Sequence, residues 1–200
     1  MKIAIISGAS RGIGRAAAKA FAKEGYSLLL NCEKNIDLLE ELKGEIEEEL
    51  QRLEISKEKD GSENNFAQSL DITLKKGDFA SPFLESYFRA KEAEQAEIEE
   101  LVLVINQGKS TLNLTQDYSS EETDSLIQAN LLEPFHLAQR MIPYLLRAKT
   151  GRVFFSSSVW GNVGASMESL YSLTKGGINS FVKALGKELA PTHIAVNAIA

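Results

Sequence analysis

The sequence predicts an α/β protein built on a doubly wound parallel sheet with the strand order 3-2-1-4-5-6. Short apolar segments alternate with longer amphipathic segments along the chain, which is typical of a parallel sheet covered by helices on both faces. Right-handed crossovers between such segments produce that strand order. The 200 residues, of which 44% are hydrophobic, suit a single domain spanning residues 1–200.

The first strand and the first helix flank a glycine-rich turn. Lys2 to Ser7 has the length and branching of a buried strand, and Arg15 to Glu24 follows as an alanine-rich helix. Ser27 to Cys32 is predicted as the second strand. An apolar stripe at three- and four-residue steps then predicts a second helix. The stripe consists of Leu39, Leu42, Ile46, Leu50 and Leu53.

The middle of the chain is predicted to hold two more strands and the helix between them. Phe66 to Leu70 is predicted as the third strand, with Asp71 directly after it. Proline suits the first turn of a helix, so Ser81-Pro82 predicts a helix start. This helix runs toward Glu100, and Leu101 to Asn106 is predicted as the fourth strand.

The last third of the chain continues the alternation. Ser119 and Glu122 form a capping box for the next helix. Pro134 lies within that helix and predicts a kink, because proline removes one backbone donor. The remaining elements are a fifth strand, a long helix and a sixth strand, predicted over Gly151–Ser157, Glu168–Leu189 and Ile194–Ile199.

The glycine-rich turn predicts a site for a bulky anion. It reads Ser7-Gly8-Ala9-Ser10-Arg11-Gly12-Ile13-Gly14. Its three glycines allow a tight turn and close approach of the backbone, and the amino end of the next helix faces the anion. A dinucleotide pyrophosphate is the expected ligand. An ordinary glycine turn without a ligand is the alternative interpretation.

A second motif lies far downstream. Tyr171 and Lys175 are four residues apart in a predicted helix, so both side chains leave from one face. An ammonium beside a phenol favours the phenolate, which makes a phenol a usable proton donor or acceptor near neutral pH. Taken alone, such a pair could be a surface coincidence. Its combination with the glycine turn favours a catalytic role.

Together these motifs resemble the short-chain dehydrogenase/reductase family, most closely its 3-oxoacyl-(acyl-carrier-protein) reductases. The resemblance covers residues 2–200 and implies a Rossmann-type fold. It implies NAD(P)(H)-dependent hydride transfer between a nicotinamide and a carbonyl or secondary alcohol. A 3-oxoacyl thioester is one substrate candidate, and a sugar, a steroid or a small alcohol is another.

The resemblance also implies a catalytic set. Ser158 lies thirteen residues before Tyr171, and Asn130 matches the asparagine of the family's long helix. Tyr171 is implied to protonate the forming alkoxide, and Ser158 to hold the carbonyl oxygen. Lys175 is implied to favour the phenolate and to hydrogen-bond the nicotinamide ribose. Asn130 is implied to fix a water that links Lys175 to solvent.

Cofactor-binding residues are implied at the carboxyl ends of the strands, which should gather at one edge of the sheet. Asp71 matches the acid that follows the third strand and lies near the adenine. The family's Asn-Asn-Ala-Gly after the fourth strand reads Ile105-Asn106-Gln107-Gly108 here, so only its second asparagine and its glycine remain. The full predicted set is Ser7, Gly8, Ser10, Arg11, Gly12, Ile13, Gly14, Asp71, Asn106, Gly108, Tyr171 and Lys175.

The end of the second strand bears on the choice of cofactor. Cys32 stands where an acid would bind the adenosine 2′-hydroxyl. Nothing at that position repels a 2′-phosphate, and Arg11 could pair with one, so NADP(H) is predicted over NAD(H). Lys34 could assist. Glu33, at the next position, could instead bind a 2′-hydroxyl, which keeps NAD(H) as the alternative.

Composition excludes several other classes. The net charge of −6 argues against a nucleic-acid surface, and no apolar run approaches the length of a membrane span. The single cysteine excludes an internal disulfide and suits a reducing cytoplasm. Nothing in the sequence has metal-ligand spacing, so no metal site is predicted. A cytoplasmic enzyme with a small-molecule substrate is expected.

Two further expectations come from the resemblance. Relatives form dimers or tetramers through the helices that match those of Asn130 and Tyr171, so a homodimer or homotetramer is expected. Relatives also continue beyond the position of Ala200 with a mobile substrate loop, a helix and a last strand, so these are expected to be missing. A truncated, catalytically silent nucleotide-binding or protein-interaction module is therefore the alternative to an enzyme. The intact Asn130, Ser158, Tyr171 and Lys175 set opposes it.

Overall fold

The computed structural model describes residues 1–59, 70–79 and 82–200. Six strands form one sheet with the order β3-β2-β1-β4-β5-β6, which confirms the predicted fold class and strand order. The strands are β1 (Lys2–Ser7), β2 (Ser27–Cys32), β3 (Ile72–Lys76), β4 (Glu100–Ile105), β5 (Thr150–Ser156) and β6 (Ile194–Ile199). The helices are α1 (Gly12–Lys23), α2 (Ile36–Lys59), α3 (Pro82–Ala93), α4 (Ser120–Ile127), α5 (Glu133–Arg147), α6 (Trp160–Val163) and α7 (Ser169–Glu188).

Two compact units make up the chain, Met1–Val102 and Leu103–Ala200. In the first unit, β1 pairs in parallel with β2, and β2 pairs in parallel with β3. The side chains of Ile3–Ile6 and Leu28–Leu30 are fully buried, as expected for strands covered on both faces. The single domain predicted from the sequence stays a prediction.

The third strand lies later in the chain than predicted. β3 spans Ile72–Lys76, and its register sets Ile72 opposite Leu28. Of the predicted strand, residues 66–69 lie outside the described part of the chain. Asp71 therefore lies at the amino end of β3, and the prediction that it follows the third strand is wrong. The reason is that β3 is an edge strand that mixes apolar and polar residues, so it does not form the continuous apolar run that predicts a buried strand.

In the second unit, the long helix is interrupted before the predicted kink. Residues Gln128–Leu132 form a π-helical turn between α4 and α5. The backbone N–H of Glu133 donates to the carbonyl of Gln128, which is the five-residue spacing of such a turn. Pro134 lies in the first turn of α5, where its missing N–H is tolerated. The interruption is thus a widened turn directly before Pro134, and the kink predicted at Pro134 stays a prediction.

Local signals set the other boundaries of the second unit. The predicted capping box is present at α4, with Glu122 N 3.1 Å from Ser119 Oγ and Ser119 N 2.9 Å from Glu122 Oε2. β5 pairs in parallel with β6, and Gly151 lies opposite Ile194.

In the ranges that the structure describes, no helix has the length and apolar character that crossing a membrane requires.

Candidate active site

The glycine turn joins β1 directly to α1. Gly8 and Gly12 have φ values of 63° and 55°, a region that favours glycine. The backbone N–H of Ala9 donates to the carbonyl of Asn31 over 2.9 Å, which fixes the turn to β2. An added Cβ on Gly12 would meet no atom of the described residues within 4 Å, so this side of the turn is open.

The amino end of α1 suits an anion. The first turn of the helix contains no acidic residue, and the Arg11 side chain makes no capping hydrogen bond within the described part of the chain. The first N–H groups of a helix have no acceptor inside it and bind phosphate readily. Ile13 and Arg11 are exposed beside these groups, while Ser7 and Ser10 are buried. These residues fit a dinucleotide pyrophosphate.

The adjacent ends of β2 and β3 are held together by a buried amide. Asn31 Nδ2 donates to the carbonyls of Lys75 and Gly77 over 3.1 and 2.8 Å. The backbone N–H of Gly77 donates to the carbonyl of Cys32 over 2.8 Å. Asp78, directly after this turn, therefore occupies the strand-end position that was predicted for Asp71. A Gly-Asp pair after an alternating segment was the sequence signal for it.

Asp71 is engaged at the opposite end of β3. Its Oδ2 lies 3.2 Å from Nζ of Lys91 on α3, and Lys91 also lies 3.1 Å from Glu94 Oε2. The Lys91 side chain is only 11% exposed. Asp71 thus serves to neutralise a largely buried ammonium.

In the second unit, α7 presents Tyr171 and Lys175 one turn apart, as predicted. Nζ of Lys175 lies 5.7 Å from the centroid of the Tyr171 ring. It donates a hydrogen bond of 2.7 Å to the backbone carbonyl of Ser156, at the end of β5. Lys175 is buried, and this burial lowers its pKa. Tyr171 remains half-buried. The strand end therefore positions the ammonium beside the phenol.

The π-helical turn holds Asn130 against the loop that follows β4. Its Oδ1 accepts from the backbone N–H of Lys109 over 2.7 Å, and its Nδ2 donates to the Lys109 carbonyl over 2.8 Å. Nδ2 also lies 3.3 Å from Oγ1 of Thr174, whose hydroxyl donates to the Tyr171 carbonyl. The buried amide thus ties the loop to α7. The water implied for Asn130 stays a prediction.

Gly108 lies where the Asn130 amide and the Lys175 ammonium meet. An added Cβ would stand 3.3 Å from Asn130 Oδ1 and 3.6 Å from Lys175 Nζ. Two residues earlier, Asn106 Oδ1 accepts from the Ser156 hydroxyl over 2.8 Å. The two surviving residues of the altered loop therefore lie close to Lys175 and to the end of β5, and their predicted role in cofactor binding stays a prediction.

Ser158 lies in the turn between β5 and α6. Its Oγ accepts from the backbone N–H of Trp160 over 3.2 Å. Helix α6 packs tightly on α7, since an added Cβ on Gly161 would lie 2.7 Å from the carbonyl carbon of Lys175. Asn179 of α7 donates to Asn162 Oδ1 over 2.9 Å. The turn that bears Ser158 is thus fixed to the helix that bears Lys175.

Sequence reasoning missed several residues that hold these elements together: Asn31, Gly161, Thr174 and Asn179. Their roles depend on contacts between elements that are distant in the chain. For Thr174, its place one turn after Tyr171 was the one available signal. Among the residues that the structure describes, no group of three or more His, Cys, Asp or Glu is placed to hold a metal ion.

The chain is similar to known proteins in sequence and in structure. The family model described as short chain dehydrogenase matches residues 2–200. The uncharacterised oxidoreductase YmfI of Bacillus subtilis is 34% identical over 199 residues, covering 100% of this chain and 73% of that protein. The 3-oxoacyl-(acyl-carrier-protein) reductase FabG of Staphylococcus epidermidis is 31% identical over 202 residues, with the same coverage.

A solved structure agrees with these sequence matches. The X-ray structure of an alcohol dehydrogenase from the archaeon Thermococcus sibiricus, complexed with 5-hydroxy-NADP, matches with a TM-score of 0.74 and 25% sequence identity. The match covers 97% of this chain and 74% of that chain.

Proposed function

Since the chain belongs to the short chain dehydrogenase family and is an NAD(P)-dependent oxidoreductase, we propose that it transfers a hydride between the nicotinamide and a carbonyl or secondary alcohol. The observation that carries this proposal is the buried Lys175 ammonium, which the Ser156 carbonyl holds beside Tyr171. A 3-oxoacyl thioester is the favoured substrate, because a similar protein is a 3-oxoacyl-(acyl-carrier-protein) reductase. A small alcohol or ketone is the second candidate, in line with the alcohol dehydrogenase.

The cofactor, when bound, supplies or accepts the hydride at C4 of its nicotinamide. The N–H groups at the start of α1 and the open side of Gly12 are suited to hold its pyrophosphate. Asp78 replaces Asp71 in the proposed adenine contact, because Asp78 follows β3. Asn106 and Gly108 are proposed to line the site beside Lys175.

Proton transfer is assigned to this chain's own side chains. In the direction of reduction, the Tyr171 hydroxyl donates its proton to the alkoxide oxygen that forms on the substrate. The Ser158 hydroxyl donates a hydrogen bond to the same oxygen. The Lys175 ammonium favours the phenolate that remains and hydrogen-bonds the nicotinamide ribose. Asn130 orders the loop and α7 around Lys175. We also assign to it the water that returns the proton, as the resemblance implies.

The same proposal favours NADP(H) over NAD(H). Cys32 is buried at the end of β2, and burial raises the pKa of its thiol, so this position carries no charge that would repel a phosphate. Arg11 in the glycine turn and Lys34, two residues after Cys32, are both exposed. Glu33 is also exposed, and it would favour NAD(H) if it bound the ribose hydroxyls.

We also propose that the protein is a homo-oligomer located in the cytoplasm. A homodimer or homotetramer is supported by large apolar side chains that are exposed on and next to α5, namely Leu132, Phe135 and Leu146. A cytoplasmic location is supported by a single cysteine, which is a free thiol.

The absorbance of reduced nicotinamide tests the proposed reaction. The purified chain is mixed with NADPH and a panel of 3-oxoacyl thioesters, simple ketones, keto sugars and steroid ketones. We expect the absorbance to fall with at least one of these carbonyl classes, and fastest with the thioesters. Cofactor binding without turnover of any carbonyl would contradict the proposal and favour a silent nucleotide-binding module.

A further inference from the structure

A lysine lies beside Cys32 where the sequence suggested no partner. The register of β2 and β3 sets Lys76 opposite Cys32, at the carboxyl ends of both strands. Side chains of directly paired residues in neighbouring strands project to the same face of a sheet. The charge of Lys76 also acts on the Cys32 thiol, opposing the rise in its pKa that burial causes. The ammonium is therefore close to the strand end that bears on cofactor choice.

The backbone around Lys76 is fixed on both sides. Asn31 Nδ2 donates to the carbonyls of Lys75 and Gly77, and the Gly77 N–H donates to the carbonyl of Cys32. The Lys76 side chain itself is exposed. It can thus reach solvent from a well-defined position, which favours binding because little backbone must be ordered.

The neighbouring lysine provides a contrast. Lys75 projects to the opposite face, where its Nζ lies 5.1 Å from the centroid of the Phe83 ring. Two successive lysines therefore have different surroundings, and only Lys76 is set beside Cys32. Among the other charged residues near this end, Arg11 and Lys34 add positive charge, and Glu33 and Asp78 add negative charge.

We propose that Lys76 determines specificity for the adenosine 2′-phosphate of NADP(H), with Cys32 as the uncharged surface next to it. This inference rests on the proposed function, because it requires a dinucleotide at the glycine turn. A phosphate dianion gains a charge-assisted hydrogen bond from an ammonium, whereas a ribose hydroxyl gains much less. Lys76 thus discriminates by attraction, while the absence of an acid at Cys32 removes the repulsion.

Isothermal titration calorimetry with two adenosine nucleotides measures the contribution of the 2′-phosphate to binding. Adenosine 2′,5′-bisphosphate and 5′-AMP differ only in the 2′-phosphate. The wild-type chain should bind the bisphosphate more tightly, and Lys76→Gln should weaken that binding roughly tenfold while leaving the Kd of 5′-AMP unchanged. Lys75→Gln is the matched control, and it should keep the wild-type ratio of the two Kd values. Cys32→Asp should reduce the ratio by adding a repulsive charge.

The outcomes separate this inference from the proposed function. If wild type binds NADPH and NADH but Lys76→Gln keeps the wild-type ratio, the assignment of Lys76 is overturned and the oxidoreductase proposal stands. If both lysine variants reduce the ratio equally, a general loss of positive charge is responsible and the assignment is again overturned. If wild type binds neither dinucleotide, both proposals fail.

Discussion

Nζ of Lys175 donates a 2.7 Å hydrogen bond to the backbone carbonyl of Ser156, which joins the middle of α7 to the end of β5. This bond directs a buried ammonium toward the end of the strand and sets it 5.7 Å from the centre of the Tyr171 ring. A buried charge requires such partners, because removing it from water is costly. The predictions below follow from this arrangement and from the residues packed around it.

The free energy of unfolding should depend on pH through the titration of Lys175. Burial lowers its pKa from the ordinary value of 10.5, so the native state releases this proton at a lower pH than the unfolded chain does. Between the two pKa values the unfolded state binds more protons, and the free energy of unfolding therefore rises with pH. Lys175→Met lacks this group. We therefore expect the free energy of unfolding of the wild type, minus that of Lys175→Met, to increase as the pH rises through this window toward 10.5.

Urea unfolding at a series of pH values measures this difference. Lys183→Met is the matched control, because Lys183 is exposed on the same helix. Its difference from wild type should stay flat over the window. A flat difference for Lys175→Met as well would contradict the effect of burial on Lys175.

Gly108 should tolerate no side chain without loss of turnover. An added Cβ would stand 3.3 Å from Asn130 Oδ1, so the buried amide must shift slightly, and it would also contact Lys175 Nζ at 3.6 Å. We expect Gly108→Ala to lower kcat roughly tenfold, since small displacements of catalytic groups are costly. Gly44→Ala is the control: no described atom lies within 4 Å of its Cβ, and it should gain about 1 kcal/mol of stability. Equal steady-state kinetics for both variants would contradict this account.

Gly161 should be required for the packing of α6 on α7. A Cβ there would lie 2.7 Å from the carbonyl carbon of Lys175, which forces the two helices apart. Overpacking of this kind costs about 1–3 kcal/mol, so Gly161→Ala should lower the midpoint of urea unfolding. In Gly186→Ala the new Cβ would be 4.0 Å from Val196, an ordinary contact, and the midpoint should not fall. Unchanged stability of Gly161→Ala would show that this contact relaxes freely.

Asp71 and Asp78 should differ in their effect on cofactor binding. Asp71 pairs with Lys91 at the amino end of β3, but its side chain is 46% exposed and Glu94 also pairs with Lys91. Asp71→Asn should therefore cost at most about 1 kcal/mol and leave the Kd of NADPH unchanged. Asp78→Asn should weaken NADPH binding, because Asp78 follows β3. Fluorescence titration of both variants checks this pair. If Asp71→Asn weakens NADPH binding and Asp78→Asn does not, Asp71 contacts the adenine and the assignment of Asp78 is wrong.

Residues with local signals were predictable from the sequence. The glycine turn, the capping box of Ser119 and Glu122, and the spacing of Tyr171 and Lys175 each depend on neighbours within a few residues. The strand order followed from the alternation of elements and the handedness of crossovers, and it is confirmed.

Features that depend on distant contacts were not predictable. The edge strand β3 carries Thr73, Lys75 and Lys76, so its pattern is weaker than that of the buried strands, and Asp71 was placed at the wrong end. Pro134 signalled an interruption, but the form of that interruption is a π-helical turn. The Asn130 amide forms its two shortest hydrogen bonds with the backbone of Lys109, and a backbone partner leaves no signal in the sequence.

Turnover of Tyr171→Phe tests the central claim most directly, because this change removes one hydroxyl and keeps the ring. We expect kcat to fall by about 10²–10⁴, the usual contribution of a positioned proton donor, while the Kd of the cofactor stays at the wild-type value. Wild-type turnover by this variant would contradict the assignment of Tyr171 as the proton donor.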